Sequence, residues 1–518
     1  MPKAAFALLV FSALLQGCAT DYEKLAPQQA NRPWKPKTDA AGTIQPGEPL
    51  PLESHQNQSF TLPGNAHPVD MGTSAEIRAD HIYSLPDLID LAESSNPLTT
   101  MAWNTAREVA LAAGIARSAY LPRLIATAVG GHQTSQVTVS GGSLSNTNAS
   151  HSDGFIASLS LNWLLFDFGQ RDALVEAADQ ATVIANVGFN AAHQDLIHAV
   201  SLAFYAHSTA ESRVKLAEQS LRNASAVQEV ANARLEQGVG TAIDAGKAEQ
   251  GTAQARLNLV QAQGAAKNSY QALLTAIGMS PLTKMRIEDI SARKLDITLT
   301  EKVEHIISEA LARRPDILAA YAEEKAAHAT SEAAEADFLP KLFISGTGAY
   351  SNGGLYLTQI PGIGNQSSIG NFGNSGFGAT VFGGITMSLY DGGVKQALLG
   401  QTKAKADKAS LNLTQKRNLA VKEIVTAQNT LETGISSYDA ASKMVKASEL
   451  TFDAALTAYK SGAGAITDVL MSEIQLLQAK VAITEAHSVT LAAAATLALA
   501  TGSMDSILDS RTVTNQTR

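Results

Sequence analysis

The sequence predicts an α+β membrane protein, internally duplicated, in which long helices alternate with amphipathic β-hairpins. Three observations predict it. A string of motifs recurs at a nearly constant offset. The helical stretches between motifs exceed the globular range. The segments that join those stretches switch to a period of two.

The repeat organises everything else. Residues 96–124, "NPLTTMAWNTAREVALAAGIARSAYLPRL", parallel residues 314–342, "RPDILAAYAEEKAAHATSEAAEADFLPKL", with Pro97 and Pro122 spaced as Pro315 and Pro340 are, at offset 218. "LFDFG" (165–169) parallels "LYDGG" (389–393), and "GVGTAID" (238–244) parallels "GAGAITD" (462–468), both at offset 224. "TAIG" (275–278) and "LATG" (499–502) keep that offset. The six extra residues of the second copy fall between Pro340 and Asp391 and mark a loop.

The elements follow in order. Lys3, then the apolar run from Ala4 to Leu15, has the layout of an export signal. It ends at Leu15-Gln16-Gly17-Cys18, which holds the only cysteine in 518 residues. A single thiol makes neither an internal disulfide nor a zinc site of the usual spacing. The following stretch carries Pro27, Pro33, Pro36, Pro46, Pro49 and Pro51 and reads as an extended linker. Ser84 and Asp87 have capping-box spacing before a short helix at 85–95.

Pro97 and Pro315 suit the first position of a helix of 22–24 residues. A helix of about 68 residues follows each hairpin and spans roughly 100 Å. Such lengths indicate coiled-coil packing, with alanine-rich seams such as Ala173, Ala177, Ala178, Ala181 and Ala185. After a glycine turn comes a last helix of about 35 residues, with Thr241 and Asp244 at capping-box spacing in the first copy.

Between the helices, one face of residues 155–166 carries Phe155, Ala157, Leu159, Leu161, Trp163 and Leu165, while Ser158, Ser160 and Asn162 lie on the other. Residues 377–390 place Phe377, Ala379, Val381, Ile385, Met387 and Leu389 against Thr380, Thr386 and Ser388. Alternation over this length crosses a membrane as a tilted strand. Trp163 and Tyr390 sit where interfacial aromatics are expected. Partner strands begin at Arg123 and Lys341, and residues 132–153 and 351–375 read as exposed hairpin loops. No run of 18 apolar residues follows the signal, so a closed barrel is the remaining way to span a membrane. Four strands per chain cannot close one, so the chain must oligomerise: a dimer supplies eight strands and a trimer twelve.

The expected organisation is a signal at 1–17, a lipidated linker at 18–80, a first repeat at 81–290, a second at 291–505 and a tail at 506–518. The first repeat has a hairpin at 123–166 and helices at 97–119, 170–237 and 243–277. The second has a hairpin at 341–390 and helices at 315–337, 393–461 and 466–501.

Composition narrows the function classes. A net charge of −9 argues against nucleic acid as a partner. There is no HExxH motif, and His193 and His198 lie five apart, off a common helical face, so no metal site is expected. "GFGATVFGG" lacks a phosphate loop's strand-to-helix context and reads as strand glycines. No enzyme activity is expected.

Two resemblances add to this reading. Leu15-Gln16-Gly17-Cys18 resembles a bacterial lipoprotein signal, which implies a covalent lipid on Cys18 and, with Ala19 following, sorting to the outer membrane. The repeat with its Leu-Pro boundaries, Asp-x-Gly exits and glycine turns resembles the TolC-like outer-membrane efflux and secretion channel family over about residues 80–505. That resemblance implies a homotrimer with a 12-stranded outer-membrane barrel continued by a periplasmic helical tunnel. The implied partners are a periplasmic adaptor and an inner-membrane pump. It implies passive export of small molecules, with the exit duct of a type I protein secretion system as the alternative within transport. A non-conducting periplasmic coiled-coil scaffold is the alternative of another class.

By the same resemblance, Gly238, Val239, Gly240 and Thr241, with Gly462, Ala463 and Gly464, are adaptor-docking turns, though glycine also simply caps helices. Tyr459 and Asp468 fall on gate positions, where three aspartates around an axis would repel one another and attract cations. The alternative for Asp468 is an N-terminal aspartate favoured by the helix dipole. The family's second aspartate is Met471 here, and an arginine of the turn is Gly464.

Overall fold

The computed structural model of the chain describes residues 80–141, 144–291, 303–353 and 376–504, with short stretches at 37–40, 44–45, 62, 77–78, 293 and 295. Residues 1–74 form one compact unit and 75–518 another. In the first, β1 (Lys37–Thr38) pairs antiparallel with β2 (Ile44–Gln45). The signal segment, Cys18, the linker prolines, the loop at 354–375 and the tail at 506–518 lie outside the described residues.

The second unit begins with β3 (Ile82–Tyr83) and α1 (Leu85–Ser95). Ser84 N and Oγ both donate to Asp87 Oδ2, at 2.8 and 2.7 Å, and so start the helix. Then come α2 (Pro97–Ser118), β4 (Arg123–Gly141), β5 (Leu144–Phe166), α3 (Gln170–Glu236) and α4 (Ala242–Ile277). β6 (Arg286–Ile287) pairs in parallel with β3. The same succession follows again: α5 (Val303–Arg313), α6 (Pro315–Ala336), β7 (Lys341–Gly353), β8 (Gly376–Thr386), α7 (Val394–Lys460) and α8 (Ile466–Ala500).

The long helices α3 and α7, 67 residues each, run the full length of the bundle, roughly 100 Å. Near the sheet the lateral order is α2-α3-α6-α7; towards the far end it is α4-α3-α8-α7. Heptad spacing explains the close packing. Ala210, Ala217, Ala224 and Ala231 on α3, and Ala406, Leu413, Ala420, Ala427, Gly434 and Ala441 on α7, are buried every seventh residue. α8 contains a window apolar enough to cross a membrane (mean hydropathy 1.3), but it packs between α3 and α7 as a bundle helix.

The short helices stack end to end through two matched splices. Asn96 caps α2, accepting from Leu98 N at 3.0 Å, and its Nδ2 donates to Ala276 O of α4 at 3.0 Å. Gly278 sits there at φ 87°, and a Cβ would lie 2.7 Å from Asn96 Cα, so only glycine fits. In the second copy the buried Arg314 donates Nη1 to Ala500 O at 3.0 Å and pairs with both Asp316 and Glu423. A core of Leu88, Ile89, Val200, Phe204, Leu273, Leu274 and Ile277 packs α1, α3 and α4 together at the first splice.

Two expectations are corrected. β8 ends at Thr386, opposite Lys341, the first residue of β7, so Met387, Leu389 and Tyr390 lie beyond the strand. Residues 132–153 are not a loop. The β4–β5 ladder runs through them, from Arg123↔Asn162 to Gly141↔Leu144. Backbone pairing does not require an apolar face, and Thr134, Val137, Thr138 and Val139 are β-branched strand formers.

Candidate functional site

Two regions carry the chemistry of this chain: the sheet, and the far end of the helices. The sheet has the order β4-β5-β7-β8, all antiparallel. Its register sorts the side chains. The rungs Leu124–Leu161–Gly346–Val381, Ala126–Leu159–Gly348–Ala379 and Ala128–Ala157–Tyr350–Phe377 lie on one face. Rungs of the opposite face are Ile125–Ser160–Thr347–Thr380 and Thr127–Ser158–Ala349–Gly378. The first face is apolar across all four strands and its residues on β8 are open: Phe377 is 75% and Val381 77% exposed. Among the described residues β4 and β8 are the unpaired edges. A soluble fold covers or blunts such a surface.

The strand-to-helix exits hold the sheet on the bundle. Asp167 Oδ2 accepts from Arg171 Nε at 2.8 Å and from Arg171 N at 3.1 Å, both residues being buried. The guanidinium also donates to Leu164 O, Leu165 O and Ala119 O. The second copy repeats the device with lysine: Asp391 accepts from Gly393 N and Lys395 N, and Lys395 Nζ donates to Asp337 O.

At the far end, both glycine turns have one geometry. Gly238 and Gly462 adopt φ 74° and 81°. Val239 N and Gly240 N donate to Arg234 O, as Ala463 N and Gly464 N donate to Ala458 O. In the first copy Thr241 caps α4 with the full box: Asp244 N donates to Thr241 Oγ1 at 3.1 Å and Thr241 N to Asp244 Oδ2 at 3.4 Å. In the second copy the capping position is Ala465. Asp468, the counterpart of Asp244, is exposed in the first turn of α8, and its carboxylate has no bonded partner among the described residues.

Tyr459 is 2% exposed, packed with Val227, Ala231, Ala248, Phe452, Ile466 and Val469 from all four helices. Its phenol oxygen has no hydrogen-bond partner among the described residues. Burial, with Asp244 adding and Arg234 opposing, pushes its pKa up. The link between the two helix hairpins runs instead through Arg234. Its Nη1 donates to Tyr459 O at 2.6 Å, and its guanidinium lies 4.9 Å from the centre of the Tyr459 ring. Nη2 reaches Val239 O at 3.4 Å. The sequence reading did not single out Arg234. Its signal is the repeat itself, since the matching position is Ala458 and only one copy has a charge there.

A second link joins α3 to α8, where Ser220 Oγ donates to Glu473 Oε1 at 2.5 Å. Burial raises the Glu473 pKa above its ordinary value, with the Ser220 bond opposing. His193 approaches Glu93 at 3.5 Å and His198 bonds Thr496, so these two histidines serve separate contacts.

Comparison with known proteins agrees with this architecture. Protein CyaE of Bordetella pertussis is 23% identical over 399 residues, 77% of this chain and 79% of the relative. Outer membrane efflux protein BepC of Brucella suis is 25% identical over 392 residues, 75% and 79% respectively. The open state of the Neisseria gonorrhoeae outer membrane channel MtrE superposes with a TM-score of 0.65, at 24% identity, covering 81% of this chain and 89% of that one. The family described as outer membrane efflux protein matches residues 88–279 and again 306–503. With most of both halves matched, and with an open-edged apolar sheet joined to a long helical bundle, the chain belongs to the outer membrane efflux protein family.

Proposed function

We propose that three copies of the chain close into one conduit, a 12-stranded barrel in the outer membrane continued by a helical tunnel in the periplasm. The observation that carries this is the register-sorted sheet, apolar on one face and open at β4 and β8. The bundle is open in the same sense, since α2 and α4 lie at one side and α7 at the other. Joining β8 to the next copy's β4 satisfies the edge hydrogen bonds that lipid leaves unmet. A periplasmic scaffold has no use for such a face.

In this reading the protein passively exports small molecules delivered by an inner-membrane pump and a periplasmic adaptor. The name of BepC as an efflux protein favours efflux over protein secretion. The adaptor meets the turns at Gly238–Thr241 and Gly462–Gly464. Cys18 carries a lipid that anchors the N-terminal segment. Cys18→Ser should abolish acylation, measured by fatty-acid labelling, and leave a foldable barrel; normal labelling would remove the lipoprotein reading.

Asp468 forms the gate ring. Its support is the absence of a capping partner: unlike Asp244, it has no capping hydroxyl beside it and stays free for solvent and cations. The test is planar-bilayer conductance of the full-length protein beside Asp468→Asn. Discrete channels whose cation preference falls in the mutant are expected. Channels indifferent to the substitution would reduce Asp468 to a helix-dipole residue. Absence of channels from both wild type and a tip-loosened Arg234→Ala variant would overturn the conduit.

A further inference from the structure

We propose that His132 and His151 form a binding site for a divalent transition-metal cation of the zinc, copper and nickel class, with Asp153 as the carboxylate that orients it. The residues come together through the β4–β5 register. His132 faces Asp153 and Thr134 faces His151, so all four lie on one face of the hairpin. That face carries Gly130 and Phe155 on the preceding rung, the end of the apolar band. The site therefore begins ~7 Å beyond Phe155 and ends ~14 Å beyond it. With the barrel in the membrane as proposed above, it looks outward into the aqueous edge of the lipid layer.

The local geometry is that of a metal-binding histidine with its supporting carboxylate. His132 Nδ1 lies 2.7 Å from Asp153 Oδ1. In the neutral ring Nδ1–H donates to that carboxylate, which turns the lone pair of Nε2 the other way, towards the Thr134 hydroxyl. Thr134 Oγ1 stands in the gap, 3.2 Å from His132 Nε2 and 3.4 Å from His151 Nδ1. The two rings lie nearly parallel, 16° apart in plane, with centroids 6.0 Å apart. A hydroxyl within reach of two imidazole nitrogens occupies the space that a cation would share between them.

The charge and donor set select the cation. Two imidazole nitrogens suit zinc, copper and nickel, whereas magnesium and calcium require oxygen ligands. Among the described residues no three ligating side chains already converge on a point. The cation accordingly takes two protein nitrogens and completes its shell with water, after small rotations of exposed side chains. His132 is 57% and Asp153 87% exposed, so nothing packs against those rotations.

The test is isothermal titration of the full-length protein in detergent with zinc chloride alone. One zinc per chain is expected. His132→Gln and His151→Gln should each weaken binding by more than about tenfold, the lower end of what even supporting partners contribute. Asp153→Asn should weaken it by about 10–100-fold while keeping the stoichiometry. His81→Gln, which removes an imidazole beside Asp87 elsewhere on the chain, should change nothing. Heat-modifiable mobility of each variant reports the intact barrel. No saturable zinc binding, or binding unchanged in the double histidine variant, would overturn the proposal.

Discussion

Arg234 is the side chain that ties the far end of the helices together. It binds the carbonyl that ends α7 and covers the ring of Tyr459 while belonging to α3. One residue therefore joins the two helix hairpins at their tips. A hydrogen bond to a charged group contributes about 1.5–3 kcal/mol. Arg234→Ala is expected to shift the tip towards open states about tenfold or more. The readout is a higher open probability in planar bilayers. Equal open probability in wild type and mutant would show that the tip is held elsewhere. Tyr459, marked in the sequence as a gate residue, contributes differently from a pore-facing hydroxyl: its phenol is buried without a partner among the described residues and its carbonyl makes the contact.

Among the elements, α3 and α8 are coupled through Glu473 and Ser220. The carboxyl keeps its proton more readily in the folded protein than in the unfolded chain, because burial disfavours the charge. The sign follows from linkage. The folded state binds more protons between the ordinary value of 4.5 and the raised value, so stability falls as pH rises through that window. Glu473→Gln removes the ionisation and should raise the melting temperature at neutral pH, with the gain vanishing below about pH 4.5. A gain that persists at low pH would assign the effect to packing instead. The helices themselves are legible because their signals are local: Pro97 and Pro315 at the starts, capping pairs at Ser84 and Thr241, glycines at the turns. α5, by contrast, was not anticipated from the sequence. It is short, and it packs on α6 and α7 rather than announcing itself by a cap.

For the whole molecule, the decisive quantity is the orientation of the sheet. Val381 sits on the apolar face in a middle rung, and its neighbour Thr380 is on the other face. Val381→Arg should cost about 2–4 kcal/mol if that face meets lipid near the bilayer midplane. Thr380→Arg should be tolerated if the opposite face lines a water-filled interior. Yield of the heat-modifiable oligomer in the outer membrane is the measurement, and equal yields for the two variants would contradict the membrane assignment. β7 and β8, with 13 and 11 residues, are long enough to cross as tilted strands. β4 and β5, with 19 and 23 residues, exceed that need.

The sequence by itself determined the long helices and the hairpins between them, the two-sided character of the strands and the recurrence of one plan in both halves. Each is carried by residues within a few positions of one another, where caps, periods and turns act. Tertiary structure decided what depends on distant partners. It paired β5 with β7 across the two halves, extended the first hairpin through polar residues, and spliced α4 to α2 through Asn96 and α8 to α6 through Arg314. It also brought Arg234 to Tyr459, 225 residues away. Local patterns state what an element is; which elements meet is settled only when apolar faces and unpaired backbone groups are all satisfied together.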